Sequence, residues 1–163
     1  MKNLMIIPDG AVVQCVTNQP LAQESLVERL GLPMACMGKG LCATCHVVVV
    51  KGAENLSPRT EKELRALERL TGCMPDSRLS CQARVLGDVS VRLPEGLFIN
   101  SVEELTELIG RRAEKNILHP VDGRILISAG QIISRTIVRK LEGTDFKPWQ
   151  GLETSSPVNP RAV

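Results

Sequence analysis

The sequence is poor in aromatic residues: 163 residues hold no tyrosine, two phenylalanines and one tryptophan. It therefore lacks the interleaved rings on which single-stranded nucleic acid stacks. Long apolar runs are missing too, since none approaches the ~20 residues that a membrane-spanning helix needs. The opening MKNLMIIPDG reaches Pro8 and Asp9 too early to supply the apolar core of a signal peptide, and no Arg-rich transit segment precedes it. A mature chain starting near Met1, in a cytoplasmic setting, is the expectation. No charge sign dominates either. The formal net charge is +2, so no strong field steers the chain to nucleic acid or anionic lipid. The remainder, 43% apolar and 23% charged, suits one ordinary domain or a small domain with an appendage.

Cysteine is where the sequence becomes specific. Three of the six thiols crowd into MACMGKGLCATCHVVVV, residues 34–50, and the last, Cys81, lies in RLSCQARV. In a reducing cytosol such clustering points to metal ligands rather than disulfides. Five residues separate Cys36 from Cys42, two separate Cys42 from Cys45, and 35 separate Cys45 from Cys81. Zinc is the nearest competitor, but structural zinc sites usually draw on two short Cys-x2–4-Cys knuckles. Here Cys81 has no close mate and the first gap is too long for a knuckle. A [2Fe–2S] rhomb fits better, because it is longer than one ion and takes two thiolates at each end.

The loop composition suits that load. Two ferric ions, two sulfides and four thiolates leave a net double negative charge, and one added electron makes it triple. A partly dry site must answer with inward-pointing dipoles. Gly38 and Gly40 permit the tight curl that aims backbone N–H groups inward. Ala43 and Thr44 are small enough for close approach, and Met37 and Leu41 are expected to screen the sulfurs from water. No cysteine follows Cys81, so the rest of the chain adds no second iron–sulfur site.

Residues 2–7 and 11–16 read as a hairpin about Pro8-Asp9-Gly10. Asn18 or Gln19 is placed to cap a helix from Pro20 to Leu30, stopped by Gly31. The β-branched run 46–50 reads as a strand covered on both faces. Ser57 and Pro58 open a second helix to Leu70, and residues 80–85 and 88–92 read as two short strands. Composition shifts near Pro94-Glu95-Gly96. Beyond it, Ser101 and Glu104 form a capping box for a helix to about Arg112, RILIS is strand-like, and Ser134 caps a helix through Leu141. These readings give an α+β pattern: residues 1–96 as one domain, 97–142 as a small α/β extension, and 143–163 as a flexible tail rich in Pro, Ser and Thr.

The cysteine spacing followed by His46 resembles that of vertebrate-type, adrenodoxin-like [2Fe–2S] ferredoxins. ENLSPRTEKELRALERL is similar to that family's Leu-Ser-Pro opening of an acidic helix, PDSRLSCQARV to its Arg-Leu-x-Cys-Gln strand, and DVSVRLPE to its closing strand. The likeness covers residues 1–95. It implies a β-grasp fold and a one-electron carrier rather than an enzyme. It also implies a [2Fe–2S] cluster held by Cys36 and Cys42 on one iron and Cys45 and Cys81 on the other. The implied donor is a flavin-containing, NAD(P)H-linked ferredoxin reductase. The implied acceptors are a cytochrome P450, the iron–sulfur assembly machinery or a specialised complex. A function of another class stays open: a redox-sensing or scaffold subunit in which the extension does the binding.

The remaining candidates read more plainly. Cys15 and Cys73 are expected to be small buried hydrophobes. His46 is expected to be a structural histidine bonded to a neighbouring loop, and His119 structural or exposed. The segment 58–70, where the family carries docking carboxylates, holds Glu61, Glu63 and Glu68 but also Arg59, Lys62, Arg65 and Arg69. Such a face is usually solvated and laced with i,i+4 pairs. Residues 1–96 carry 11 basic and 10 acidic side chains, so partners of strongly acidic ferredoxins do not transfer automatically.

Overall fold

The computed structural model describes residues 1–99 and 101–147. Strands β1 (Lys2–Ile7) and β2 (Val12–Cys15) form the expected antiparallel hairpin. Helix α1 (Glu24–Leu30) follows, then the cysteine loop and β3 (His46–Lys51). After a single helical turn come α2 (Glu61–Glu68), β4 (Ser77–Leu79) and β5 (Val89–Arg92). The five strands make one mixed sheet in the order β2-β1-β5-β3-β4, with β5 parallel to β1 and antiparallel to β3.

The valine run explains why β3 sits inside this sheet. Val47 and Val49 enter the main core with Leu4, Ile6, Leu26, Val89 and Val91, while His46 and Val48 are buried on the opposite face. A strand apolar on both faces must be covered on both.

Two helix starts fall later than the sequence suggests. The Leu21 and Ala22 N–H groups donate to the Ala83 and Ser80 carbonyls at 2.7 and 2.8 Å, so this segment is tied down before α1 begins. Ser57 does not cap α2. Its N–H donates to Arg84 O and its hydroxyl accepts from Arg84 N, and Thr60 caps instead, accepting from Glu63 N at 3.1 Å. The expected strand 80–85 is also replaced. β4 ends at Leu79, and a turn closed by Gln82 N and Ala83 N on Leu79 O carries Cys81.

The rest of the described chain builds a second sheet, β6 (Leu97–Phe98), β7 (Ile117–Leu118) and β8 (Ile125–Ile127), in that order. With α3 (Val102–Thr106) and α4 (Arg135–Leu141), it encloses its own core of Ile99, Leu105, Ile117, Ile127, Ile133 and Val138. Ser134 caps α4 as expected. Ser101 does not bond its helix through its side chain, and α3 stops at Thr106. The following residues turn away, with Gly110 N, Ala113 N and Ile133 N bonded across to Ile133, Gln131 and Arg111 carbonyls. Phe146, inside the tail expected from Gly143, is instead buried in this second core. The remainder of that expectation falls on residues 148–163, outside the described residues. No helix among the described residues is long and apolar enough to cross a membrane.

Candidate metal centre

The loop between α1 and β3 is curled by local bonds. Ala35 N donates to Pro33 O, Met37 N to Met34 O and Lys39 N to Cys36 O. Gly38 and Gly40 hold left-handed φ angles of 79° and 73°. At Gly40 the space is closed as well: a Cβ there would lie 2.9 Å from the Gln82 side chain. Gln82 needs that room because its amide donates to Gly38 O at 3.2 Å and contacts the Cys81 sulfur at 3.5 Å.

This curl brings all four sequence-predicted thiols together, each at most 8% exposed. They are arranged as two pairs. Cys45 Sγ lies 3.4 Å from Cys81 Sγ, and Cys36 is hydrogen-bonded to Cys42. Cys81 is brought in from 36 residues away because Ser80 donates from both N and Oγ to Cys45 O, at 3.0 and 2.8 Å. Among the described residues no three Cys, His, Asp or Glu side chains converge as they would around one ion.

Inward dipoles are also present. Backbone N–H groups of Leu41, Lys39 and Cys42 point at the Cys36 sulfur, that of Thr44 at Cys42, and that of Gly40 at Cys81. Thr44 Oγ1 accepts from Ala35 N at 3.1 Å, which leaves its own proton for Cys42 Sγ, also 3.1 Å away. Within each pair the hydrogen bond between partners dominates: Cys42 lowers the Cys36 thiol and is itself raised, while Cys45 lowers Cys81 and is raised. Burial opposes ionisation at all four. The set resists holding four negative charges by itself. Iron bound at each pair would supply the missing positive charge, and the chemistry of these donors fits a thiolate-bound cluster.

Other expected roles divide. His46 is buried, its Nε2 2.9 Å from Ser77 Oγ, and burial followed by the Arg92 charge pulls its pKa down to about 4. It is the structural histidine expected. Cys15 is buried in the main core, but Cys73 is exposed, because the chain after Leu70 turns outward. Leu41 screens Cys36 and Cys42, whereas Met37, in a left-handed conformation, is 83% exposed and screens nothing. Its place is taken by Val121, packed on Cys36 and Cys42. The sequence around Val121, HPVDG at residues 119–123, carries no motif that marks it as a sulfur shield.

The family described as 2Fe-2S iron–sulfur cluster binding domain matches residues 4–86, which include all four paired thiols. A 2Fe-2S ferredoxin of Pseudomonas aeruginosa is 37% identical over 98 residues, covering 60% of this chain and 87% of that protein. The 2Fe-2S ferredoxin of Escherichia coli is 36% identical over 90 residues, 55% of this chain and 81% of its own. Among solved structures, the ISC-like [2Fe-2S] ferredoxin of Pseudomonas putida superposes with a TM-score of 0.52 at 27% identity, covering 58% of this chain and 93% of that one. A putidaredoxin variant, an Fe2S2 ferredoxin, gives 0.50 at 26% identity over 57% and 96%. The chain thus belongs to the 2Fe-2S iron–sulfur cluster binding domain family, as a β-grasp, electron-carrying ferredoxin of the adrenodoxin-like group with a C-terminal extension.

Proposed function

We propose that Cys36 and Cys42 hold one iron of the [2Fe–2S] cluster and Cys45 and Cys81 the other, and that the chain relays single electrons from a ferredoxin reductase to an acceptor protein. The observation that carries this is the division of four buried thiols into two pairs ringed by backbone N–H groups. The cluster supplies one-electron chemistry when bound. The chain's own residues hold it, point dipoles at it and limit water. No side chain is required to move a proton or open a bond. Anaerobically purified protein should contain iron and inorganic sulfide in equal amounts and give the EPR signal of a reduced [2Fe–2S] centre. It should also be reduced and reoxidised catalytically by a reductase and an acceptor. Equimolar iron and sulfide without turnover would favour the sensing or scaffold role.

For partners, candidate acceptors are a cytochrome P450, the iron–sulfur assembly machinery or a specialised complex, and the polarity of α2 narrows their surface chemistry. Glu63 is fully buried, so segment 58–70 exposes two acids, Glu61 and Glu68, against Arg59, Lys62, Arg65 and Arg69. Arg69 also reaches the cysteine loop, donating to Leu41 O. This face suits a partner with an acidic rim, in contrast to the acidic helices of its family. The double change Lys62→Glu, Arg65→Glu should slow association with such a partner by about tenfold at low salt, since like charges then meet during encounter. The difference should fade near 1 M salt, where the screening length is about 3 Å. Stopped-flow reduction across an ionic-strength series measures it. Faster association by the variant at low salt would reverse the assigned polarity.

A further inference from the structure

The β7–β8 turn, residues 119–124, belongs by sequence to the extension but lies on the cysteine loop. Pro120 O accepts from Ala43 N at 2.8 Å, and Asp122 O accepts from Thr71 N at 2.7 Å. The turn is thus bonded at once to the loop between Cys42 and Cys45 and to the segment after α2. Between these anchors Val121, 6% exposed, is buried with Cys36 and Cys42. A second part of the extension, Phe98 on β6, packs on the buried group that includes Ala43, Cys45, Leu79 and Cys81. Both buried groups that contain the thiols therefore include or carry a residue from beyond residue 96.

The turn is also braced from behind. His119 Nδ1 accepts from Val121 N at 3.1 Å, Gly123 N donates to His119 O, and Arg124 N donates to Asp122 Oδ1. With Nδ1 acting as acceptor, Nε2 carries the proton and donates to Asp145 O at 3.1 Å. The ring stacks on Phe146 with centroids 5.4 Å apart. Val121 is thus carried on a turn fixed at both ends and from the second core.

We infer that residues 120–122 are a built-in wall of the cluster site, with Val121 and the Pro120 carbonyl acting as positioning groups that keep water from the Cys36 and Cys42 sulfurs. This rests on the ligand assignment above. Its electrostatic consequence has a definite sign. The added electron increases the negative charge at the site, and water stabilises the more highly charged form better than the buried site does. A wall that excludes water therefore holds the potential down. It also keeps oxygen and water from the iron–sulfur bonds.

The test uses full-length, anaerobically purified protein with Val121→Ala, Val121→Ser and, as control, Val138→Ala. Val138 is buried in the second core and does not pack on the thiols. The readouts are iron and sulfide per chain, midpoint potential, and bleaching half-life in air. Both Val121 variants should load normally, shift the potential to more positive values, serine more than alanine, and bleach several-fold faster. Val138→Ala should keep the wild-type potential. Failure of both Val121 variants to load while Val138→Ala loads also supports the wall. If only Val121→Ser fails to load, Val121→Ala decides by the same shift. Wild-type potential and half-life in a loaded Val121→Ala variant overturn the inference, and so does an equal shift in Val138→Ala. Failure of the ligand assignment looks different: Cys81→Ser would then keep the wild-type chromophore whatever residue 121 does.

Discussion

Cys81→Ser should strip the visible spectrum from the anaerobically purified protein, with iron and sulfide falling together. Cys81 is the one proposed ligand that the loop does not supply, and its position depends on bonds that no neighbour can duplicate. Ser80 ties the turn to Cys45 O, Ala22 N holds Ser80 O, and Leu21 N holds Ala83 O. Neither remaining cysteine can substitute: Cys15 is embedded in the main core and Cys73 is exposed beyond α2. Removing groups that merely orient metal ligands costs roughly 10–100-fold in affinity, so losing a ligand should cost at least that. Cys73→Ser should leave the spectrum unchanged. Iron and sulfide assays with visible absorption decide the matter, and a full chromophore in Cys81→Ser would remove that residue from the ligand set.

The parts of this site that were legible in the sequence are those carried by local spacing. Three thiols and two glycines within residues 36–45 point to a curl, because the positive φ angles at Gly38 and Gly40 come without strain to glycine. The valine run likewise announces a strand buried on both faces. The misses share a different cause. Ser57 and Thr60 are both competent caps, and the choice between them falls to Arg84, 27 positions from Ser57, whose N–H occupies the Ser57 hydroxyl. Pro20 is a good first residue for a helix, yet the bonds to Ser80 and Ala83 hold the next two residues outside α1. Met37 looks like a sulfur shield by composition, but its left-handed backbone turns it to solvent. Val121 performs that shielding from a turn with no ferredoxin-like pattern. Periodicity and capping report on neighbours in the chain, whereas the cap, the helix start and the place of Val121 were settled by contacts across it.

Glu63→Ala should produce the largest loss of stability of any single change on α2, about 3–5 kcal/mol, the range for removing one member of a buried ion pair. Glu63 is 0% exposed and grips Arg78 through both carboxylate oxygens, Oε1 to Nε at 2.7 Å and Oε2 to Nη2 at 3.1 Å. Oε1 also accepts from Leu79 N at 2.9 Å. Truncation therefore strands a buried guanidinium and a buried N–H together, and among the described residues Arg78 keeps only the Ser57 carbonyl. A total stability of about 5–15 kcal/mol leaves little reserve against such a loss. The damage should not stay on α2, because β4 carries Arg78 and Leu79 and leads directly into the Cys81 turn. Cluster bleaching should accordingly move to lower urea together with the loss of secondary structure. Two controls separate the buried pair from charge in general. Glu61→Ala removes an exposed partner of Arg65 and should have little effect, since surface pairs contribute little. Replacing both Glu63 and Arg78 by methionine should cost less than Glu63→Ala alone, because no buried charge is then left unpaired. A urea midpoint for Glu63→Ala equal to that of Glu61→Ala would show that the pair does not hold α2 to β4.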